Sequence, residues 1–197
     1  MSTEANATAE PDLPSPEATE ALLRGRRTIG SFKPEPPPAE VIDKAIELAS
    51  WAPNHHLTQP WRVYRLGPET TSEMIDLAMD LVAEEKGAEK AAKKRHKWTR
   101  IPSWLVVTQA LSDKPLTRRE DFAAVSCAIQ NLQLYLWSCG VGVKWSSGAI
   151  TRDPRLLDLL WADRDSEEVI GLLQIGYPAK PARSRRKPPA EFTIDLP

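Results

Sequence analysis

The sequence is poor in the side chains from which disulfide frameworks and metal centres are built: its 197 residues include two cysteines and three histidines. Cys127 and Cys139 fall on one helical stretch, where twelve residues span about 18 Å, far beyond disulfide reach. They read as small buried hydrophobes of a protein kept in a reducing compartment. His55 and His56 are adjacent, so their side chains diverge, and His96 is left as a lone third imidazole with no cysteine or carboxylate pattern to complete a metal site. An excess of charge is also missing. Lys+Arg 26 against Asp+Glu 27 gives a formal net charge of -1, which removes any global pull towards nucleic acid or an anionic membrane. No apolar run approaches the length of a membrane span, and Met1 to Glu20 lacks the basic start and apolar centre of a signal peptide, so the expected compartment is the cytoplasm. There is no internal repeat.

What is present is enough for one well-filled core: 41% hydrophobic residues in a chain of this length predict a single domain over residues 15–197. Met1 to Pro14, rich in Ala, Thr, Glu and Pro, buries too little to offset chain entropy and is expected to be a disordered tail. The chain commits itself most clearly between Thr117 and Ile150. Thr117 with Glu120 reads as a capping box, and Phe122, Val125, Ile129, Leu132, Leu136 and Cys139 then recur at spacings of three and four, predicting a long buried helix. Gly140 and Gly142 end it, Val141, Val143 and Trp145 alternate as a strand does, and the exit Ser146-Ser147-Gly148 is small and polar. Such an exit is either a plain tight turn or a place where a ligand approaches the backbone amides.

The other elements follow the same logic. Ser15 and Pro16 open a short helix closed by Gly25; Val41, Ile42, Ala45, Leu48 and Ala49 mark a second helix that runs into Trp51. Thr70 with Glu73 suggests another capping box ahead of Met74, Ile75, Leu77, Ala78, Leu81 and Val82, and Gly87 interrupts that helix. Arg62 to Leu66, Trp104 to Thr108 and Val169 to Ile175 read as strands, Asp153-Pro154 as a helix start, and the alternation Phe192, Ile194, Leu196 as an edge strand. The order of helices and strands indicates an α/β layered fold with a small sheet inside helices. Two basic stretches stand out. Arg26-Arg27-Thr28 is either a solvated pair or a fork for a phosphate, and Lys90 to Arg100, with Trp98 among its cations, is either a solvated helix end or a nucleic-acid arm.

Four blocks in order resemble the FMN-dependent nitroreductase family, in particular its compact members: Arg26-Arg27-Thr28 with Phe32; Ala52-Pro53-Asn54-His55-His56-Leu57-Thr58-Gln59-Pro60-Trp61; Asp121 through Asn131 to Gly140 and on to Trp145-Ser146-Ser147-Gly148; and Gly176-Tyr177-Pro178 with a downstream arginine and Pro188. The resemblance implies an α+β fold with a small, mainly antiparallel sheet covered by helices, and a C-terminal extension packing on a partner subunit. It implies a homodimer with FMN at the subunit interface. Arg26, Arg27 and Thr28 would hold the phosphate and ribityl chain, Trp145, Ser146 and Ser147 would face the isoalloxazine, Trp51 and His55 would reach over from the other subunit, and Arg186 would add a phosphate contact. NADH or NADPH would reduce the flavin, approaching near Tyr135 to Gly140, and a nitroaromatic, quinone or similar flat small-molecule acceptor would then take the electrons in a ping-pong cycle. No catalytic acid, base or nucleophile is implied. Thr28 stands for the usual serine and keeps the hydroxyl; Ser146 stands where compact members can carry an arginine, so one positive charge is missing. Two other readings are a different flavin reaction on the same fold, such as dehalogenation or flavin fragmentation, and a non-enzymatic nucleic-acid-binding protein with basic arms.

Overall fold

The structure, a computed structural model, describes residues 13–197. The expected tail Met1 to Pro14 therefore lies outside the described residues except for Leu13 and Pro14, which are exposed. Proline starts most of the helices. α1 (Pro16–Gly25), α3 (Pro68–Lys86), α5 (Pro115–Ser138) and α6 (Pro154–Leu159) each carry it at the first position, and α2 (Ala39–Ala49) follows Pro38. Proline's fixed φ suits a first helical turn, and its missing N–H leaves nothing to satisfy there. This corrects two expectations: Thr117 and Thr70 do not cap their helices but lie inside them, because Pro115 and Pro68 have already begun the turn. Ser15 and Asp153 cap as expected, accepting from the amides of Ala18 at 3.2 Å and Arg155 at 3.0 Å. Gly87, at φ 86, separates α3 from α4 (Ala88–Trp98).

Strands β1 (Trp61–Arg65), β2 (Ser103–Ala110), β3 (Gly142–Ser146) and β4 (Glu167–Gly176) form one antiparallel sheet in the order β1-β2-β4-β3. The architecture is thus the expected α+β one, a small antiparallel sheet wrapped by helices. Between Val107 and Thr108 the β2–β4 register shifts, a bulge that twists the sheet locally. Side chains alternate across the sheet and feed two cores. One face packs Val107, Val143, Leu173 and Ile175 against α2 and α5; the other packs Trp104, Val106 and Leu172 against α3, α4 and α6. Each fully buried Leu or Ile contributes roughly 1.5–3 kcal/mol. Glycine is needed at close approaches, of which two bear on the site. A Cβ on Gly142 would lie 2.3 Å from the Ile29 side chain, and one on Gly171 would lie 2.1 Å from the Trp145 indole.

Other expectations fail for one common reason, that a single chain covers only part of its apolar surface. α5 buries Val125, Ile129, Leu132 and Leu136 against α2 and the sheet, but Phe122 is 49% exposed and both Cys127 and Cys139 are exposed rather than buried. Cys139 is the residue that caps the helix, not part of its apolar face. The C-terminal alternation forms no strand: Phe192, Ile194 and Leu196 are exposed beyond a single 3-10 turn at Pro189–Glu191, since no strand edge of the same chain pairs with them. Among the described residues, no helix is long and apolar enough to cross a membrane, and no cluster of three metal-ligating side chains occurs.

Candidate functional site

The residues singled out from sequence fall into two groups placed at different points along α5. The first group lies on the free edge of β3. After α1 the chain forms a parallel bridge from Thr28 to Val143, with the Ile29 amide donating to the Val143 carbonyl at 3.2 Å. The absent side chain at Gly142 is what lets Ile29 sit this close. The bridge holds Arg26 and Arg27 beside the strand that leads into Ser146. Arg26 donates to the Gln133 side chain on α5 at 3.4 Å, and Arg27 donates to the Arg26 carbonyl at 2.9 Å and to the Arg24 carbonyl.

These guanidiniums are short of counter-charge. Neither Arg26, Arg27 nor Arg186 takes part in an ion pair among the described residues, and the buried Nε of Arg27 has no hydrogen-bond partner. Burial, followed by the charges of Arg186 and Arg27, pushes the Arg26 guanidinium below its ordinary value. Arginines gathered in this way cost free energy until an anion joins them, and their fork geometry matches a phosphate. The residues present therefore fit the phosphate end of FMN.

The strand exit lies further along β3, past the Thr28–Val143 bridge. Trp145 donates its indole N–H to the Ile170 carbonyl at 3.3 Å, its ring resting on Gly171. The Ser146 hydroxyl is held by β4, donating to the Leu172 carbonyl at 3.3 Å and accepting from Gln174 at 3.4 Å, while Ser147 is exposed. This bend forms one wall of a cavity of about 480 Å³ whose opposite side is built by α3 and α4.

The second group is the loop from Ala52 to Trp61. His56, Leu57 and Gln59 adopt positive φ of 58°, 50° and 46°, a strained backbone for residues other than glycine. Side-chain bonds hold it: Asn54 accepts from the Gln59 amide at 2.6 Å and donates to Thr58 at 3.0 Å, and Thr58 donates to the buried Asp121 of α5 at 2.5 Å. His55 lies 3.2 Å from Glu120 and, against the expected divergence of adjacent side chains, stacks on His56, whose positive φ turns the chain there. The fixed loop presents Trp51, 78% exposed, and Leu57, 75% exposed, to the outside. Asp121 opens the third of the four family-like blocks but was given no site role, although a carboxylate in line with Val125, Ile129 and Leu132 is a signal of buried polar duty.

The structure does not bring the two groups together within one chain. The loop is anchored at Glu120 and Asp121 and the arginines at Gln133, so about 18 Å of helix separates the anchors. Trp51 and His55 thus stand at a different point along α5 from the arginine cluster of their own protomer.

Residues 23–177 match the profile described as the Nitroreductase family. The chain is 34% identical over 172 residues to the NAD(P)H nitroreductase candidate YfhC of Bacillus subtilis, covering 85% of this chain and 88% of that protein. Among solved structures it superposes on a nitroreductase-like family protein from Bacillus cereus with a TM-score of 0.83 at 25% identity, covering 93% of this chain and 98% of the other. The FMN-dependent nitroreductase NfnB from Mycobacterium smegmatis, solved in complex with NADPH, shares the fold with a TM-score of 0.78 at 16% identity, covering 92% of this chain and 99% of the other.

Proposed function

Because the chain belongs to the nitroreductase family, we propose that it is an FMN-dependent oxidoreductase that takes electrons from NADH or NADPH and delivers them to a nitroaromatic, quinone or similar flat acceptor. The observation that carries this reading is the uncompensated arginine cluster on the edge of β3, the strand whose far end runs into a bend of small polar residues. Arg26, Arg27 and Arg186 would hold the phosphate, Thr28 the ribityl chain, and Trp145, Ser146 and Ser147 the ring. Of the two serines, Ser147 has the exposed side chain, because the Ser146 hydroxyl is engaged by β4. When bound, FMN supplies the two-electron chemistry itself, so the chain's own work is to bind, orient and shield.

The working unit in this proposal is a homodimer of residues 15–197 acting in the cytoplasm, where reduced nicotinamide nucleotides are made. About 18 Å of α5 separates Trp51 and His55 from the arginines of the same chain, which is the arrangement expected if each protomer completes its partner's site. The outward face of α5, with Phe122 and Cys127, and the exposed Phe192, Ile194 and Leu196 supply apolar surface for that association.

The test is a visible spectrum of the purified protein, recorded before and after adding NADH and NADPH separately under argon, followed by nucleotide consumption with a nitroaromatic. The expected result is a yellow protein bleached by at least one nucleotide and reoxidised by the acceptor. Protein that stays colourless with excess FMN contradicts the proposal. Yellow protein that bleaches but turns over no nitroaromatic moves it to another flavin reaction.

A further inference from the structure

The outward face of α5 carries a pattern that the packing of a single chain leaves unexplained. Leu116, Ala123, Cys127 and Leu134 follow one another at spacings of seven, four and seven residues, which keeps them in one line along the helix. Leu116, Ala123 and Cys127 are exposed and Leu134 is half-buried, while Val125, Ile129, Leu132 and Leu136 on the opposite side fill the core. Read backwards, the spacings are the same. A helix with that property can lie antiparallel on a copy of itself, because a two-fold contact needs one surface that complements itself. Leu116 then faces the partner's Leu134 and Ala123 the partner's Cys127, with Glu120 opposite Gln130 and Arg119 opposite Asn131, so that no like charges meet. A second observation points to the same place. The loop with Trp51 and His55 is fastened to Glu120 and Asp121, and the arginine cluster to Gln133. Midway between Asp121 and Gln133 stands Cys127, within about half a helical turn of the centre of the apolar stripe.

We propose that a second copy of this chain lies antiparallel on α5 with the two-fold axis passing between Ala123 and Cys127, and that this one register carries the loop of each copy to the arginines of the other. What the pairing completes rests on the flavin reading, while the self-complementary stripe does not. Other arrangements fit worse. A parallel pairing sets Arg119 and Glu120 against their own copies, and a slide of one turn, which moves the axis onto Cys127, faces Leu116 with Ser138 and Leu134 with Glu120. The short side chains of Ala123 and Cys127 let the helix axes approach to about 8 Å at the crossing. Residue 123 of one copy then lies directly against Cys127 of the other, whereas the two copies of Cys127 stand about 10 Å apart and those of Cys139 about 42 Å apart.

The test is disulfide trapping of the full chain with diamide, read on a non-reducing gel, in Cys139→Ser, in Ala123→Cys/Cys139→Ser and in Ala123→Cys/Cys127→Ser/Cys139→Ser. Only the second variant places two thiols within disulfide reach across the axis, so it alone is expected to give covalent dimers. Dimers from Cys139→Ser itself overturn the register, because Cys127 would then meet its own copy, and so do dimers from the triple variant. Absence of covalent dimers from the second variant overturns the proposal. Ala123→Glu is the complementary measurement, at an exposed position where the fold of the single chain is kept. It is expected to sediment as a monomer and to lose about tenfold or more in FMN affinity, although no residue of the arginine cluster has changed. A dimer of wild-type stability overturns the interface, and a monomer with wild-type FMN affinity overturns the completion of each site by the partner. Wild-type protein that stays colourless with excess FMN refutes the oxidoreductase reading, and on that protein the trapping and the sedimentation still decide the interface.

Discussion

Two cationic regions flank β3, and they are built differently. On the free edge, Arg26 and Arg27 are half-buried, tied to backbone carbonyls and to Gln133, with one guanidinium nitrogen of Arg27 orphaned. In the trough on the α3/α4 side, formed by the cavity of about 480 Å³ and an adjoining one of about 380 Å³, the cations Lys86, Lys94, Lys97, Arg100, Lys144 and Lys180 are mostly lysines and mostly exposed, with Lys86 paired to Glu85 and Lys94 over the Trp98 ring. Planar forks held in place suit an anion that stays; loose ammonium groups suit one that comes and goes. Along that strand Val143 and Trp145 face the α2/α5 core and Lys144 and Ser146 the other side.

The sharpest way to break this contrast is Arg26→Ala/Arg27→Ala. Each charge-assisted hydrogen bond contributes roughly 1.5–3 kcal/mol, so FMN affinity should fall by about a hundredfold or more, with flavin lost on gel filtration. Flavin retained at wild-type occupancy would refute the phosphate assignment. Gly142→Ala is the next largest. Its Cβ would fall 2.8 Å from the Ile29 Cβ, a backbone-attached atom that cannot swing aside, so the bridging segment must move. Stability should drop by about 1–3 kcal/mol in urea denaturation, and FMN affinity should drop with it while the lysine trough stays intact.

Asp121→Ala removes the buried acceptor of Thr58 and should cost about 1 kcal/mol or somewhat more in thermal unfolding. If the loop serves the partner's site, flavin retention should also fall although no residue of the arginine cluster has changed; unaltered retention would separate the loop from the cofactor. The smallest effect is with pH. Folded Lys94 releases its proton below the ordinary lysine range, through burial and then Lys86 and Lys144, with Glu85 opposing and His96 lining the adjoining cavity. Between its folded and unfolded pKa the unfolded chain binds more protons, so stability gains slightly as pH rises through that window. Lys94→Gln should abolish that slope in urea denaturation followed against pH. FMN retention should not change there, because guanidiniums remain charged.

Much of this was legible in the sequence. Local patterns marked the helices and strands, and the motif order pointed to the family, because periodicity, proline, glycine and small polar exits act over a few residues. The misread features depend on what covers what. Phe122 and Cys127 share helical spacing with Val125 and Ile129, yet the sheet reaches only one side of α5. Lys94 and Lys93 are neighbours of the same type, yet one pairs with Glu89 and the other overhangs a cavity.

By itself the sequence determined the order of elements, the strand breaks and the places where charge and small residues are concentrated, since these follow from backbone preferences and the spacing of apolar side chains. Tertiary structure alone decided which cations lose their partners, which apolar faces stay uncovered and how far along α5 the loop stands from the arginines. Burial and counter-charge are properties of neighbours brought together from distant parts of the chain, and no local pattern encodes them.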